Sequence, residues 1–220
     1  PERRLGSSAV EAASRSTKAS VASGHPRVTE AAGEILRAGG NAFDAVVAAG
    51  FAAAVAEPAL TSLGGGGFLL ARTAQGRATL FDFFVDTPGR GLPAGQLEPH
   101  FLPVTVRFPA SEQIFNVGMG SVAVPGALRG YLYVHRSLGR LPLREVLAPA
   151  VHLARAGVTI NHKQAYFLDL LTPIMTLTAA GRALFSPEDR YLGEGDVHRN
   201  PDLATFLETL PLDGERDFYE

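Results

Sequence analysis

A run of four consecutive glycines, Gly64 to Gly67, is the clearest candidate in this chain for a functional loop. Glycine-rich loops can cradle phosphate, but a P-loop needs a Lys-Ser/Thr pair after its last glycine and a helix that begins there. Here Phe68-Leu69-Leu70 follows, so a strand starts instead and phosphate binding is not expected. The residues favour a structural role, in which backbone without side chains presses against another layer of the protein.

The side chains that usually perform nucleophilic or metal chemistry are missing or lack the required spacing. The chain has no cysteine, which excludes disulfides, thiolate catalysis and zinc-thiolate sites. Ser62 and Ser121 lack the nucleophile-elbow context of a serine triad. The histidines show no HExxH or facial-triad spacing, so no metal site is predicted. They lie at positions 25, 100, 135, 152, 162 and 198.

Two aspartates follow the glycine run within an aromatic segment. An unpaired carboxylate among aromatic side chains is costly, so Asp82 is predicted to accept hydrogen bonds from loop amides, with a role beside a substrate as the alternative. Asp86 and Thr87 precede Pro88, a combination that most simply forms a turn.

Composition restricts the class of partner. Of the 220 residues, 46% are hydrophobic, enough for a sizeable core, and the formal net charge of -2 gives no reason to expect a nucleic-acid partner. Charged residues make up 19%, below the roughly 25% of typical soluble domains. We therefore expect another polypeptide to cover part of this surface.

The first residues and the longest apolar stretch bear on targeting. Residues 1–17 are polar and predict a flexible arm, followed by a single domain over residues 18–220. The arm has no apolar h-region, although a leader removed before Pro1 is compatible with it, so a periplasmic or secreted protein and a cytoplasmic one both remain open. Ala45 to Ala56 is too short to cross a bilayer, and we expect no membrane insertion.

The elements before the glycine run are predicted as a short strand and two helices. Lys18 to Ser23 is a candidate buried strand. A helix begins near Pro26, with apolar residues at helical spacing, and ends at Gly39-Gly40. Asn41 caps a second helix, with Asp44 in its first turn; this helix runs to about Val55, is apolar on nearly every face, and is therefore expected to be buried.

The rest of the chain is predicted as a hairpin, a long irregular segment and further helices. Strands are expected at 68–72 and 78–84, joined by a turn at 74–77. Five prolines between residues 88 and 120 predict a loop. Helices are expected from Pro125 to about Leu138, over 143–156 with a kink or division at Pro149, over 164–171 and over 202–210.

The order of several segments resembles the large subunit of gamma-glutamyltranspeptidases, which are N-terminal-nucleophile hydrolases. The resemblance covers nearly all of the chain after residue 18. The segments that carry it are VASGHP at 21–26, GGNAFDA at 39–45, GGGGF at 64–68, SVAVPG at 121–126, GRLPLREVLAPAVHLARAGV at 139–158 and DLATFLETLPLDGERDFYE at 202–220.

This resemblance implies an α/β (α+β) fold, the α/β/β/α sandwich, of which the chain is the large-subunit part. The family makes one precursor that cuts itself, and the new N-terminal threonine of the small subunit becomes the nucleophile. By resemblance that threonine lies beyond Glu220, since the chain covers about two thirds of a typical large subunit. We therefore expect no catalytic residue in this chain, no activity from the chain alone, no cofactor, and a C-terminal small subunit as partner. The expected substrate is a small-molecule or peptide amide.

The resemblance also places a substrate-binding segment at residues 82–88. Transpeptidases carry an Asp-Tyr-Arg-Glu-type motif here, whose arginine grips the α-carboxylate of the γ-glutamyl group; this chain has Phe84 in place of that arginine and Val85 in place of the glutamate. A phenyl ring offers no bidentate partner for a carboxylate, so altered donor specificity is predicted, toward a more apolar acyl group. The candidate substrate-binding residues are Phe84, Asp82, Asp86 and Arg90, with Gly64, Gly65, Gly66 and Gly67 near the site.

Three alternatives remain open at this point. Arg90 or Arg107 could supply the missing cation, although both are more simply solvated side chains. The glycine run could line the floor of the active site, which the resemblance allows. The whole chain could belong to a non-catalytic or degenerate paralogue that acts in assembly or binding.

Overall fold

The computed structural model describes residues 19–93 and 95–220, so the predicted arm at 1–17 lies outside the described residues. It contains short 3₁₀ turns at 119–121 and 187–189 and a π-helical turn at 210–214. The strands are β1 (Gly67–Arg72), β2 (Ala78–Phe83), β3 (Leu102–Phe108), β4 (Ser111–Val117), β5 (Val158–Thr159) and β6 (Val197–His198). The helices are α1 (Pro26–Arg37), α2 (Ala42–Ala56), α3 (Ala127–Leu138), α4 (Leu143–Ala156), α5 (His162–Met175), α6 (Ala179–Phe185), α7 (Pro201–Thr209) and α8 (Glu215–Tyr219).

Helix α2 occupies the centre of the main core, as its apolar composition predicts. It packs against α1, α3 and α4, and Val47 and Phe51 are completely buried. The preceding α1 begins at Pro26, where His25 caps it: the Arg27 amide donates to His25 Nδ1 at 3.1 Å. Both predicted helices are confirmed.

The start of α2 holds the loop between α3 and α4. Asn41 Oδ1 accepts from the amides of Phe43 and Asp44, and the Asp44 carboxylate accepts from the Asn41 amide at 2.9 Å. The same carboxylate, which is fully buried, also accepts from the Arg140 amide at 2.9 Å and the Leu141 amide at 3.4 Å. The predicted cap is confirmed, and it has a second, tertiary role that local sequence does not reveal.

Strands β1 and β2 form the predicted antiparallel hairpin, with Leu69 opposite Phe81. Gly76 adopts the left-handed conformation (φ 82°) in the connecting turn, where its amide donates to the Thr73 carbonyl. One face of the hairpin packs on α3. The strands therefore match the sequence prediction to within one residue at each end.

The predicted loop over 88–120 is wrong, because β3 and β4 form a second antiparallel hairpin within it. Alternate residues of β3 turn toward α5, and Val106 is completely buried. Pro103 lies in β3, whose ladder to β4 is continuous, and Pro109 lies in the turn between the two strands. The prediction relied on the number of prolines and overlooked the strand-like spacing of the apolar residues Val104, Val106 and Phe108.

Other boundaries also differ from the predictions. The strand predicted at Lys18 to Ser23 is wrong: residues 19–23 pair with no strand in the described structure. Pro149 does not divide α4: the helix is continuous from Leu143 to Ala156, and the Pro149 ring is buried. Helix α5 is longer than predicted, because an Asn161–Gln164 capping box starts it at His162. Short helices α6 and α8 were not predicted.

The predicted mixed α and β class is confirmed. Within residues 19–93 and 95–220 the strands form three separate two-stranded antiparallel sheets beside a helical core. The described part of this chain thus contributes hairpins and a helical layer rather than a complete sandwich. No helix among the described residues has the length and apolar character needed to cross a membrane.

A buried histidine, His198, lies where β6 meets α6. Its ring stacks on Phe185 with centroids 5.4 Å apart and planes 4° from parallel, and its Nδ1 has no hydrogen-bond partner. Burial lowers the pKa of His198.

We predict that replacing Asp44 by asparagine destabilises the protein by about 3 kcal/mol, because a buried acceptor of several amide hydrogen bonds is lost and an NH₂ group then faces those donors. Urea unfolding of the protein checks this value. The exposed Asp169, changed to asparagine, is the matched control, and equal stabilities of the two variants would contradict the prediction.

We also predict that His198 makes the folded protein less stable at acidic pH. Because its pKa is lower in the folded protein than in the unfolded chain, the unfolded chain takes up the proton first. This contribution to stability is complete above the unfolded pKa of about 6.5 and is lost as the pH falls below it. His198→Leu should therefore flatten the decline of the melting temperature below pH 6.5, and His152→Leu, at an exposed position that forms no ion pair with the described residues, is the control.

Candidate substrate-binding face

The β1–β2 hairpin presents one uncovered face, which we call the open face. Its members alternate along the strands with residues that point into the protein. Between 59% and 74% of the surface of its large apolar side chains is exposed. The open face consists of Phe68, Leu70, Leu80, Asp82 and, just beyond β2, Phe84.

The opposite face of the hairpin is anchored on α3 by aromatic contacts. The Phe83 ring meets Tyr131 edge-on with centroids 5.7 Å apart, and Phe81 meets Tyr133 in the same way at 5.9 Å. Gly130 leaves room for the Phe83 ring, since a side chain there would collide with it. Burial raises the pKa of the Tyr131 hydroxyl. This anchoring determines which residues of the hairpin point outward.

The glycine run brings the backbone close to the end of β2. A Cβ atom on Gly66 would lie 2.6 Å from the Val85 nitrogen and 2.9 Å from Phe84 Cα, whereas one on Gly64 would meet nothing closer than 3.6 Å. The Gly65 carbonyl accepts from the amides of Gly126 and Ala127 at 3.0 and 2.9 Å, at the start of α3. The run therefore joins three elements through backbone contacts, the kind of contact that its composition predicted.

Phe84 and Phe68 stack on the open face. Their ring centroids are 5.5 Å apart and their planes differ by 7°. Asp82, opposite Phe68 in the ladder, accepts from the Phe84 amide through Oδ1 at 3.1 Å. The carboxylate of Asp82 is thus a local backbone acceptor, and its side chain is exposed rather than buried among aromatic rings.

Asp86, two residues after Phe84, lies in a bridge to Val124, whose amide donates to the Asp86 carbonyl at 2.8 Å. The turn predicted at Asp86-Thr87 is displaced: residues 88–91 form it. The Thr87 amide and the Arg90 guanidinium, both bonded to the Asp86 carboxylate, lower the pKa of Asp86. Arg90 Nη1 lies 2.7 Å from Asp86 Oδ2.

Neither arginine considered as a substitute cation is free. Arg90 pairs with Asp86, and Arg107 Nε lies 2.7 Å from Glu112 Oε1 on the second hairpin. Among the five residues of the open face, only Asp82 carries a formal charge, and the exposed Arg72 continues the same side of β1 toward the hairpin turn. Apolar surface with a single negative charge suits a neutral or apolar group better than a carboxylate.

Phe68 was not among the site residues predicted from the sequence. The signal was available, because residues two apart on a strand share a face, and an antiparallel hairpin with a turn at 74–77 places Phe68 opposite Asp82. Within residues 19–93 and 95–220 no group of three or more potential ligands lies close enough together to hold a metal ion.

The sequence and the structure of this chain both match known proteins of one family. The family model described as Gamma-glutamyltranspeptidase matches residues 28–220. The chain belongs to the gamma-glutamyltranspeptidase family.

Curated relatives carry two kinds of name. The chain is 32% identical to the glutathione hydrolase proenzyme of Escherichia coli K12 over 94% of this chain and 34% of that protein. It is 35% identical to the acylase ACY 1 proenzyme of Pseudomonas sp. SE83 over 85% of this chain and 29% of that protein. The chain thus spans about a third of the length of these relatives.

Solved structures agree with the family assignment. The gamma-glutamyltranspeptidase of Helicobacter pylori matches with a TM-score of 0.74 and 28% identity, over 93% of this chain and 57% of that chain. The cephalosporin acylase of Bacillus halodurans matches with a TM-score of 0.69 and 25% identity, over 89% of this chain and 36% of that chain.

We predict that alanine substitution destabilises the protein at one glycine of the run and has little effect at another. Gly66→Ala should lower the free energy of unfolding by about 2 kcal/mol, because its Cβ meets backbone that cannot move away cheaply. Gly64→Ala should have an effect within about 0.5 kcal/mol, because its surroundings are open. Thermal unfolding of both variants tests the difference, and similar losses of stability would refute the close approach at Gly66.

Proposed function

We propose that this chain is the large-subunit portion of a longer, self-processing amide hydrolase or acyltransferase. The nucleophile is the N-terminal threonine that self-cleavage exposes on a C-terminal polypeptide outside this chain. This polypeptide is the partner of the chain described here. The proenzyme names of the relatives, and the third of their length that the chain spans, support this proposal.

The reaction needs a nucleophile, a base and an amide. The threonine hydroxyl attacks the amide carbonyl, and the free α-amino group of the same threonine takes up the hydroxyl proton. The resulting α-ammonium group gives that proton to the amide nitrogen as the C–N bond breaks, so a neutral amine leaves and an acyl-enzyme ester forms; water or an acceptor amine then releases the acyl group. Because the nucleophile and base belong to the other polypeptide, the chain described here is expected to be inactive alone.

The observation that carries the proposal is the open face together with the free edge of β2. Strand β2 pairs only with β1 in the described structure, and its other edge borders a groove of about 560 Å³ beside Arg129 and Tyr219. Exposed apolar surface and unpaired strand edges are normally covered in a stable protein. A second polypeptide of the same precursor that covers the edge of β2 and the turn end of the open face, at Leu70 and Leu80, accounts for both features.

The acyl donor is proposed to differ from a γ-glutamyl group. By the resemblance, Phe84 stands where the family motif has its carboxylate-binding arginine, and Arg90 and Arg107 are paired with carboxylates of their own segments. A substrate carboxylate against Phe84 would lose hydration without gaining a charged partner. An apolar acyl group fits the exposed ring better.

Processing is tested by intact-mass analysis and N-terminal sequencing of the full-length gene product. A second polypeptide that begins with threonine is the expected result, and Thr→Ala at that residue should abolish both cleavage and amide hydrolysis. A single uncut chain would overturn the proposal and favour a non-catalytic paralogue.

Donor specificity is tested by Phe84→Arg in the processed protein. The ratio of kcat/KM for a γ-glutamyl amide to that for a neutral acyl amide should rise at least about tenfold, because a charge-assisted pair with the donor carboxylate forms. Leu80→Arg, which adds the same charge elsewhere on the open face, is the matched control and should raise the ratio less. A flat ratio for Phe84→Arg would place Phe84 away from the donor carboxylate.

A further inference from the structure

We propose that Phe68 is a specificity-determining residue, and that its ring and that of Phe84 form one platform for a flat, uncharged aryl-acyl group of the donor. This inference rests on the proposed function and names the substrate class of the same site. It adds a residue that the family resemblance did not assign and a shape requirement for the acyl group.

The stacking geometry determines where a ligand ring binds. A ring inserted between two others needs about 7 Å between their centroids, twice the usual contact distance of about 3.5 Å. The centroids of Phe68 and Phe84 are only 5.5 Å apart, so the pair is already closed. An aryl group must therefore bind on the outer surface of the pair, where both rings remain about 60% exposed.

The backbone holds the two rings in place. Phe68 lies in the continuous β1–β2 ladder opposite Asp82, whose carboxylate binds the Phe84 amide. Gly66, two residues before Phe68, presses against Phe84 Cα, so the backbones that carry both rings are in direct contact. A platform built in this way is present before a ligand binds, which reduces the entropy cost of binding.

Charge on and near the platform selects against anionic acyl groups. Asp82 contributes a carboxylate beside the rings, and the nearby Arg90 is paired with Asp86. A free carboxylate on the acyl group would meet the like charge of Asp82, whereas the exposed Arg72 lies at the turn end of β1, about 13 Å along the strand from Phe68. An aryl group presents polarisable surface without that conflict, and aromatic pairs contribute beyond the area they bury.

A competing explanation for the exposed rings of Phe68 and Phe84 is that the second polypeptide simply covers them. Leu70 and Leu80 belong to the same face, but they form no aromatic surface and lie toward the hairpin turn. If the rings only fill an interface, a change at Phe68 alters stability and leaves substrate preference unchanged. Substrate preference therefore separates the two explanations.

The experiment uses the processed full-length protein and two p-nitroanilides, phenylacetyl and hexanoyl, which share a leaving group and differ in the acyl group. The ratio of kcat/KM for phenylacetyl to that for hexanoyl should exceed one and should fall about three- to tenfold in Phe68→Leu and in Phe84→Leu. Phe68→Tyr keeps the stacked ring and should keep the ratio, and Leu70→Met is the control on the same face.

A second measurement needs no variant. Phenylacetate should inhibit hydrolysis of the hexanoyl substrate competitively and at lower concentration than hexanoate does. Equal inhibition, or an unchanged ratio in Phe68→Leu with processing and amide hydrolysis intact, overturns the platform and leaves the proposed function standing. Absence of threonine processing and of all amide hydrolysis in the unmodified protein overturns both.

Discussion

The buried carboxylate of Asp44 is the interaction on which the rest of the structure depends. It closes the cap of α2 and also accepts from the amides of Arg140 and Leu141, so the central helix and the α3–α4 loop share one acceptor. The Asn41 side chain adds a bond from its amide to the Leu138 carbonyl at the end of α3. The position of α3 relative to the core is therefore tied to the start of α2.

Helix α3, which is held by these bonds, in turn positions the hairpin of the candidate site. Its aromatic contacts with Phe81 and Phe83 settle which side of the hairpin is buried. The glycine run then binds the start of α3 through Gly65 and touches the end of β2 through Gly66. Phe68 and Phe84 point outward because their neighbours Leu69 and Phe83 are held inward. The open face is thus a consequence of core packing and requires no contact of its own.

Local rules were sufficient for α1, α2 and the first hairpin. Proline at a first turn, an asparagine cap and strict alternation each act over a few residues, so their effect survives in the folded chain. The same rules failed where contacts between distant segments determine whether a strand forms. The second hairpin forms because α5 supplies a surface for Val106, and the prolines around it lie where the hairpin tolerates them.

At the candidate site, the sequence indicated Phe84, Asp82, Asp86, Arg90 and the glycines, and the structure adds that Arg90 pairs with Asp86, two residues after Phe84. Phe68 was overlooked because its significance depends on cross-strand register, which is a relation between residues far apart in the chain.

The sequence by itself determined the family, the mixed class, the buried central helix and the absence of thiol chemistry, because segment order, apolar periodicity and residue type are properties of the chain alone. Only the tertiary structure decided that Asp44 serves two elements, that Gly66 and not Gly64 is closely packed, and that Phe68 and Phe84 stack. These features depend on distances between segments. Such distances follow from how the core packs, which local patterns do not specify.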